Sequence, residues 1–499
     1  MKNNRNFGIL APISSLPSNE GIGTLGEGAY RFIDYLSGTG ASVWQVLPLN
    51  PTNFGDSPYQ SCSSDALNYY FIDLDLLVKD GLLKREETAL CGNDGGRRVD
   101  YGKLFVDKVA LLRLAYSRFD GGEDFRKFID NGGYTEFAGF MALKSLFNHV
   151  AWTEWEEPYR TYDRGVVEEF ARGHARETEF WLFTQYVFLK QWHALKDYAN
   201  ARGISIMGDI PLYVAYDSVE VWKYGSELFK TDKKRRPKGL AGCPPDAFTE
   251  DGQLWGNPVY DWERMRKDGY RWWKERINRC FALFDILRID HFRGFDRYWE
   301  VPAGAKTARG GCWKDGPKEE LFADMSDYSI VAEDLGVMDD SVRAFMKKVG
   351  YPGMKVLIFA FDGNPENEHK PSNFTQNYVC YTGTHDNMPL KQHIEDLGER
   401  EKKTYFCDVK EQCKLFGIKA DVSSAESACR SIIELAFASV AGTVIIPLWD
   451  LFTMGGEARM NLPSTVSDKN WSWRFYDGDF TEESRSFLKR LAEETHRTA

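Results

Sequence analysis

The feature that most constrains the fold is a set of eight short, β-rich apolar segments spread along the whole chain. They are residues 8–12, 42–48, 204–210, 284–290, 330–333, 354–361, 378–384 and 443–448. Patterns typical of helices lie between many of them, at residues 27–36, 181–198, 272–283 and 339–348. Strands that alternate with helices form parallel βαβ units, and eight such units predict an α/β fold, a (β/α)₈ TIM barrel, in one catalytic domain spanning residues 1–499.

The connections between these segments differ greatly in length. About 155 residues separate the second predicted strand from the third, far more than one βα unit needs. Because residues 79–198 carry mostly helical patterns, we expect an inserted, mainly helical subdomain at approximately 60–200. A second stretch, approximately 214–262, is rich in glycine, proline and charged residues and is expected to form an inserted loop region over the active site. We expect both insertions at the C-terminal face of the barrel, where such enzymes place their sites.

The charge and hydropathy of the chain exclude several classes of function. Its formal net charge of -11 disfavours nucleic acid and anionic membrane surfaces as partners. No apolar run reaches the ~18 residues of a membrane span, and the first residues lack the apolar core of a signal peptide. The nine cysteines are scattered and include no CxxC pair, which is typical of proteins from a reducing compartment. We therefore expect a cytoplasmic protein without nucleic-acid or membrane partners.

Aromatic residues are frequent, with 15 Trp, 24 Tyr and 33 Phe. Most must belong to a large core, but several lie beside Asp, Asn, Gly or Pro in segments typical of polar loops. These are Trp222, Trp255, Tyr260, Trp262, Trp471 and Trp473. Since a flat ring in a polar loop suits the apolar face of a pyranose, the pattern hints at sugar binding.

Three other patterns are better explained without a cofactor. Residues 21–26 match GxGxxG, but residues 14–20 intervene between them and the preceding strand. The next strand also does not end in an acidic residue, as a dinucleotide site requires. The basic run at residues 230–238 belongs to an acidic chain and is typical of a solvated loop. The eight histidines form no HExxH or other ligand-spaced cluster. We therefore predict neither a nucleotide nor a metal cofactor.

The fourth predicted strand ends in Arg288-Ile-Asp290. Alternate residues of a strand share a face, so Arg288 and Asp290 are expected to lie side by side. Arg288 could then keep Asp290 ionised by lowering its pKa, and an ionised carboxylate at a barrel mouth is a plausible nucleophile. On its own, the pair is better explained as a structural ion pair.

Three further strand ends favour a catalytic role for Asp290 over a purely structural ion pair. One ends at Glu333 among apolar residues, another at His385-Asp386, and a third carries Asp209. Several strands would thus deliver carboxylates to a common rim, and two carboxyl groups across a scissile bond are the minimum equipment for glycoside chemistry. One must be ionised and the other protonated, so their environments must separate their pKa values.

In these segments the chain resembles the amylomaltase or 4-α-glucanotransferase family, also called disproportionating enzymes, within the α-amylase group. The likeness spans nearly the whole chain and includes the segments around Arg288, Glu333 and His385. Further motifs occur in the same order: SSLP at 14–17, GIGTLG at 21–26, DSPYQ at 56–60, GDIP at 208–211, AGCPPDAF at 241–248, QLWGNP at 253–258, PGMK at 352–355 and GEARMN at 456–461. The resemblance implies a barrel with inserted subdomains and no separate C-terminal β-domain.

The resemblance also implies residue roles. Asp290 would be the nucleophile, Glu333 the general acid and then base, and Asp386 a residue that binds sugar hydroxyls and helps to distort the reacting ring. The other residues expected to bind or orient the glucan are Arg288, His385, His291, Asp209, Tyr59, Ser57, Asp246, Phe248, Trp255, Asn257 and Asn461. The family's loop usually carries an aromatic residue where Ala247 stands, so this chain departs from the pattern on the acceptor side.

The predicted reaction is retaining transfer of an α-1,4-glucan segment to the 4-hydroxyl of an acceptor glucan or glucose. The expected substrates are maltooligosaccharides and glucans derived from starch or glycogen, and no cofactor is required. A double displacement predicts the carboxyl groups of Asp290 and Glu333 at roughly 5 Å. Three alternatives remain open: a retaining α-glucan hydrolase with the same carboxylates, a catalytically silent glucan-binding protein, and a nucleotide-dependent oxidoreductase resting on residues 21–26 alone.

Overall fold

The computed structural model describes residues 5–53, 55–92, 96–245, 250–336 and 338–498. Within these residues the strands are β1 Asn6–Leu10, β2 Val43–Gln45, β3 Ser205–Ile210, β4 Gly239–Cys243, β5 Gln253–Pro258, β6 Ile286–Ile289, β7 Arg297–Pro302, β8 Cys312–Asp315, β9 Ile330–Ala332, β10 Gly353–Val356, β11 Tyr378–Tyr381 and β12 Thr443–Pro447. The α-helices are α1 Glu27–Thr39, α2 Leu74–Lys79, α3 Tyr101–Arg118, α4 Glu123–Asp130, α5 Thr135–Leu146, α6 Arg164–Gly173, α7 Ala175–Asn200, α8 Val219–Tyr224, α9 Trp262–Arg266, α10 Arg271–Leu283, α11 Asp340–Val349, α12 Leu390–Asp396, α13 Glu399–Leu415, α14 Ala425–Ala438, α15 Leu448–Leu451 and α16 Glu482–Glu494.

Eight of these strands form one parallel sheet in the order β10-β11-β12-β1-β2-β3-β6-β9. The sheet closes on itself, because the amide of Ala332 at the end of β9 donates to the carbonyl of Pro352, beside the start of β10, at 2.9 Å. Each of the eight predicted segments overlaps one of these strands, so the predicted (β/α)₈ barrel is confirmed. The strands could be found from the sequence because parallel strands are buried on both faces and therefore consist of nearly continuous apolar runs.

Local signals set the ends of the predicted barrel helices. Helix α1 ends at Thr39 and is followed by Gly40, which takes the left-handed conformation with φ 81° that glycine adopts without strain. Helix α11 begins after Asp339, whose side chain accepts a hydrogen bond from the amide of Val342, and it ends at Gly350, with φ 73°. In the part of the chain that the structure describes, no helix combines the length and the apolar character needed to cross a bilayer.

Helices α2 to α7 lie between β2 and β3, in the stretch with helical patterns. Two buried glutamines on α7 fasten this region to the preceding chain: Gln185 exchanges two hydrogen bonds with the backbone of Leu67, and Gln191 does the same with Asp73. A buried ion pair of 2.6 Å also joins Lys108 of α3 to Glu20. Helices α3 and α7 are therefore fastened to the segment that precedes α1 and to residues 67–73.

The GxGxxG segment is explained by close packing. A Cβ atom at Gly23 would lie 1.8 Å from the carbonyl oxygen of Ile13, and one at Gly26 would lie 1.7 Å from a carboxylate oxygen of Asp73. Glycine is therefore required at both positions by the protein's own backbone and side chains.

Residues 214–262, predicted to form an inserted loop region over the active site, contain two strands of a second sheet. Strands β4 and β5 lie within that stretch and join β7 and β8 in an antiparallel sheet of order β5-β4-β7-β8. This sheet is hard to predict from local patterns, because β4 contains two glycines and β8 is largely exposed, so neither strand shows a clear alternation of apolar and polar residues. Their pairing also depends on contacts between segments some sixty residues apart, such as Ala241 with Glu300.

Candidate active site

The site is built around Arg288, which holds two carboxylates at the C-terminal ends of neighbouring strands. Asp209 of β3 and Arg288 of β6 are directly paired in the sheet. Nη1 of Arg288 donates to both carboxylate oxygens of Asp209, at 2.8 and 2.7 Å, and Nη2 donates to Oδ1 of Asp290 at 2.9 Å. The predicted contact between Arg288 and Asp290 is confirmed. Asp209 and Arg288 are buried, while the side chain of Asp290 keeps 28% of its surface exposed and can be reached from the cleft.

The net electrostatic effect on Asp290 differs from the sequence-based expectation. Arg288 does act to lower the pKa of Asp290, but burial and the neighbouring charges of Asp209 and Asp386 outweigh it. The pKa of Asp290 is therefore raised above that of an ordinary aspartate, and the expectation of a lowered value is wrong. The sequence shows the arginine but neither the depth of burial nor the other two carboxylates.

Glu333 lies on the next strand of the barrel, at the same level as Asp290. Ile289 of β6 pairs with Ala332 of β9, so Asp290 and Glu333 each follow a paired residue on strands that run about 4.8 Å apart. Two backbone amides hold the Glu333 carboxyl group: that of His291 donates to Oε2 at 2.8 Å and that of Leu335 to Oε1 at 2.6 Å. His291 takes a left-handed conformation with φ 52°, as part of the turn that brings its amide to Glu333.

The surroundings of Glu333 favour its protonated form. Burial, followed by the negative charge of Asp290, raises the pKa of Glu333 to about 8, although Arg288 and the two backbone amides act in the opposite direction. Because Arg288 donates a hydrogen bond to Asp290 and not to Glu333, a proton shared by this pair is favoured on Glu333. This is the division between acid and nucleophile that glycoside chemistry needs.

The loop after β11 brings His385 and Asp386 to the same rim. Nε2 of His385 lies 3.5 Å from Oδ2 of Asp386. Asn461 binds this loop twice, because its side chain donates to Oδ1 of Asp386 at 2.7 Å and its amide donates to the carbonyl of His385 at 3.1 Å. Arg459 donates to the carbonyl of Asp386 at 3.3 Å. The structure thus unites His385, Asp386 and Asn461.

Aromatic rings form one wall of the cleft. The hydroxyl of Tyr59 donates to Oδ2 of Asp209 at 2.7 Å, and its ring stacks on His385 at 5.0 Å and 13°. Trp471 lies 5.6 Å from Tyr59 and 5.8 Å from His385. Ser57 supports the turn by accepting a hydrogen bond from the amide of Tyr59 at 3.2 Å. The predicted site residues do not include Arg459, and the sequence indicates Trp471 only as an aromatic residue in a polar loop, although both lie in or near the GEARMN segment that supplies Asn461.

A second wall contains His291 and Trp255, whose rings meet edge to face at 4.8 Å. Burial lowers the pKa of His291 to about 3, so its imidazole is neutral. Nε2 of that ring is buried without a hydrogen-bond partner, and a ligand hydroxyl could supply one. Asn257 is buried, and its amide group already bonds to Gln60 and to the carbonyl of Val214. It therefore ties β5 to the turn that carries Tyr59.

The remaining predicted residues are two loop residues and a set of aromatic residues. Asp246 and Phe248 lie outside the described residues. Of the six aromatic residues predicted in polar loops, only Trp255 is partly exposed, and the other five are buried: Trp222, Tyr260, Trp262, Trp471 and Trp473. Among the residues that the structure describes, no group of three or more His, Cys, Asp or Glu side chains is arranged to hold a metal ion.

Nearly the whole chain is similar to known glucan-transferring proteins. Residues 11–479 match the family described as 4-alpha-glucanotransferase. The chain is 44% identical over 494 residues to the 4-alpha-glucanotransferase of Streptococcus pneumoniae, covering 96% of this chain and 94% of that one. It is 42% identical over 493 residues to that of Clostridium butyricum, covering 96% and 98%. The amylomaltase from Streptococcus agalactiae, solved in complex with acarbose, is 36% identical with a TM-score of 0.93, covering 99% of this chain and 100% of that one.

Proposed function

This chain belongs to the 4-alpha-glucanotransferase family and is a glucanotransferase, and we propose that it works by a retaining double displacement at Asp290 and Glu333. The observation that carries the mechanism is that Arg288 donates to Asp290, while two backbone amides hold Glu333 on the adjacent strand. Burial and the charge of Asp290 keep the proton on Glu333, while Arg288 bonds to the Asp290 carboxylate. A protonated acid and a carboxylate on adjacent strands are the two groups that a retaining mechanism requires.

In the first step, Glu333 gives its proton to the glycosidic oxygen and Asp290 attacks the anomeric carbon. The carbon–oxygen bond to the leaving glucan breaks, and an ester bond to Asp290 forms with inverted configuration. Glu333 is then ionised and can accept hydrogen bonds from the amides of His291 and Leu335, which lie at 2.8 and 2.6 Å from its oxygens.

In the second step, the 4-hydroxyl of an acceptor sugar replaces the departed chain. Glu333 takes the hydroxyl proton, the acceptor oxygen attacks the anomeric carbon, and the ester bond to Asp290 breaks. The second inversion restores the α configuration, and Glu333 is again protonated. Transfer requires that an acceptor sugar, held in line, reaches the ester before water does.

Further residues are proposed to bind the glucan. Asp386, oriented by the side chain of Asn461, would hold hydroxyls of the reacting sugar, and His385 would help at the same subsite. Tyr59 and Ser57 would line one side of the cleft, and His291 and Trp255 the other. Arg288 and Asp209 would act by orienting Asp290. Asp246 and Phe248 remain predicted acceptor contacts, and Asn257 is proposed as a positioning residue.

The wider biology follows from the same proposal. We propose maltooligosaccharides and starch- or glycogen-derived glucans as donors, and glucan or glucose as acceptor, in the cytoplasm. That the amylomaltase from S. agalactiae was solved in complex with acarbose supports the proposal that this chain binds sugars. We further propose one catalytic domain with a helical insertion at about 60–200 and a smaller one at about 214–262. Both would lie at the C-terminal face of the barrel.

Incubation with pure maltotriose tests the function. Transfer should yield glucose and a ladder of longer oligosaccharides while the number of reducing ends stays nearly constant, because each bond broken is replaced by one formed. Added glucose should slow net transfer by competing as an acceptor. Asp290→Asn serves as the control for contaminating activity. A rise in reducing ends in step with substrate loss, without longer products, would instead identify a hydrolase with the same carboxylates.

A further inference from the structure

The loop that presents His385 and Asp386 is held at both of its ends by one distant residue. The loop starts at Thr382, just after β11, and ends at Leu390, where α12 begins. Asp450 of α15 reaches both points: Oδ2 accepts a hydrogen bond from the Thr382 hydroxyl at 2.6 Å, and Oδ1 accepts one from the Leu390 amide at 2.8 Å. A single carboxylate therefore spans the loop.

The surroundings of Asp450 leave little room for another role. The residue is 1% exposed, so its carboxylate is out of reach of substrate. Burial raises the pKa of Asp450 to about 6, so the group is mainly ionised at neutral pH and can accept both bonds at full strength. A Cβ atom at Gly383 would lie 3.3 Å from Oδ2 of Asp450, so the loop backbone passes close beside the carboxylate.

The hydrogen bond from Leu390 to Asp450 also caps the N-terminus of helix α12. Its N-cap residue is Pro389, which makes no side-chain capping bond, so the first amide of the helix would otherwise lack a protein partner. A carboxylate at that position satisfies the amide and is favoured by the positive end of the helix dipole. Asp450 thus supplies from another element the cap that the local sequence lacks.

We propose that Asp450 is a positioning residue for transfer, which fixes the 382–390 loop so that Asp386 meets the reacting sugar in the geometry of the transition state. This inference rests on the proposed role of Asp386. Inside the loop, Asn387 accepts two further bonds from Thr384, at 2.9 Å each, so the segment between the two fastened ends is itself stiff. Movement at either end is therefore passed to Asp386 rather than absorbed.

The chain offers a closely matched control in Asp73. This aspartate is also buried, accepts a bond from a threonine hydroxyl, Thr24, at 2.7 Å, and caps a helix through the amide of Leu76 at 2.9 Å. It belongs to the base of the helical insertion and makes no described contact with the 382–390 loop. Asp73→Asn and Thr24→Val therefore remove the same chemistry at a site without the proposed function.

The test combines kinetics with a double-mutant cycle. Asp450→Asn keeps the shape but can accept only one of the two bonds, and Thr382→Val removes one donor with little change in volume. We expect kcat for maltotriose to fall about 10- to 100-fold in Asp450→Asn, the usual effect of a small misplacement of a catalytic group, with KM changed less than about threefold. In an Asp386→Asn background, the same change should cost less than about twofold, because the group it positions is already lost.

The matched variants decide how the result is interpreted. Asp73→Asn and Thr24→Val should lower the melting temperature but leave kcat within about twofold, and Thr382→Val provides the same cycle if Asp450→Asn does not fold. Additive effects of Asp450 or Thr382 with Asp386, or a loss of melting temperature without loss of kcat, would overturn the proposal for Asp450 alone. Wild-type turnover in Asp386→Asn would overturn the role of Asp386 and this inference with it.

Discussion

Replacement of Glu333 by glutamine should make the protein more stable at neutral pH while it abolishes most of the activity. The pKa of Glu333 is raised from 4.5 to about 8 in the folded protein. Between these values the folded state holds a proton that the unfolded chain releases, so the stability of the wild-type protein falls as the pH rises through this window. The loss of stability caused by Glu333 is constant above pH 8. It is absent below about pH 4.5, because Glu333 is then protonated in both the folded and the unfolded state. Glutamine does not titrate, so the variant does not lose stability in this pH range for this reason.

The magnitude follows from the width of the window. Each pKa unit corresponds to about 1.36 kcal/mol, so three units, up to pH 7.5, would cost the wild-type protein at most about 4 kcal/mol. Glutamine can accept only one of the two backbone amides that hold Glu333, which costs about 1–3 kcal/mol at every pH. The variant should therefore be more stable by about 1–3 kcal/mol at pH 7.5. For a chain of 499 residues, 1 kcal/mol shifts the melting temperature by about 1 °C.

Thermal unfolding of both proteins from pH 5 to pH 8.5 measures this effect. The melting temperature of Glu333→Gln minus that of the wild type should increase by about 3–4 °C between pH 5 and pH 8 and then level off. Glu493→Gln, a change of an exposed residue on α16, controls for the loss of one carboxyl group. A difference that is flat, or that decreases with pH, would refute the raised pKa and with it the assignment of Glu333 as the protonated partner.

The remaining predictions concern the chemistry. Asp290→Asn should lower turnover by at least ~10³-fold without loss of folding, and near-wild-type transfer would rule out Asp290 as the nucleophile. Glu333→Gln should lose about 10²–10⁴-fold on ordinary glucans, yet with a glycosyl fluoride, which needs no proton, an adduct on Asp290 should accumulate in the mass spectrum. An adduct elsewhere would contradict the mechanism. In the wild type, kcat/KM should decline above pH 8 as Glu333 loses its proton. Activity should survive exhaustive chelation, and a loss reversed by calcium or zinc would show that a metal is needed.

The barrel was predictable because its strands are defined by their own sequence. Thr443–Pro447 is a short β-branched run that is buried along nearly its whole length, and its burial does not depend on knowing its neighbours. The antiparallel sheet was not predictable in this way. Cys312–Asp315 is mostly exposed and carries charge, so only its pairing with β7 makes it a strand. A local sequence pattern identifies strands that are buried because they consist of apolar residues. It misses strands that form only because they pair with a neighbouring strand.

The contacts in the active site also differ in whether the sequence alone predicts them. The contact of Arg288 with Asp290 follows from the two-residue period of a strand and needs no further information. The bidentate bond from Arg288 to Asp209 depends on the register of β3 against β6, which the sequence does not specify. Trp471 reaches Tyr59 from a loop about 410 residues later in the chain. Such contacts become visible only when the barrel has closed.

The arrangement also explains why Arg288 does not simply make Asp290 an inert ion-paired carboxylate. Asp209 takes both bonds from Nη1 of Arg288 and is fully buried, so much of the cation's charge is already compensated. Asp290 receives one bond, from Nη2, and its remaining oxygen is free of any described protein donor. An oxygen without a strong donor retains its nucleophilicity, while the single bond fixes its direction. The same limited compensation leaves negative charge beside Glu333 and so helps to keep the proton there. In the proposed mechanism, Asp209 acts on both steps through Arg288, because it moderates the arginine on which the balance between nucleophile and acid depends.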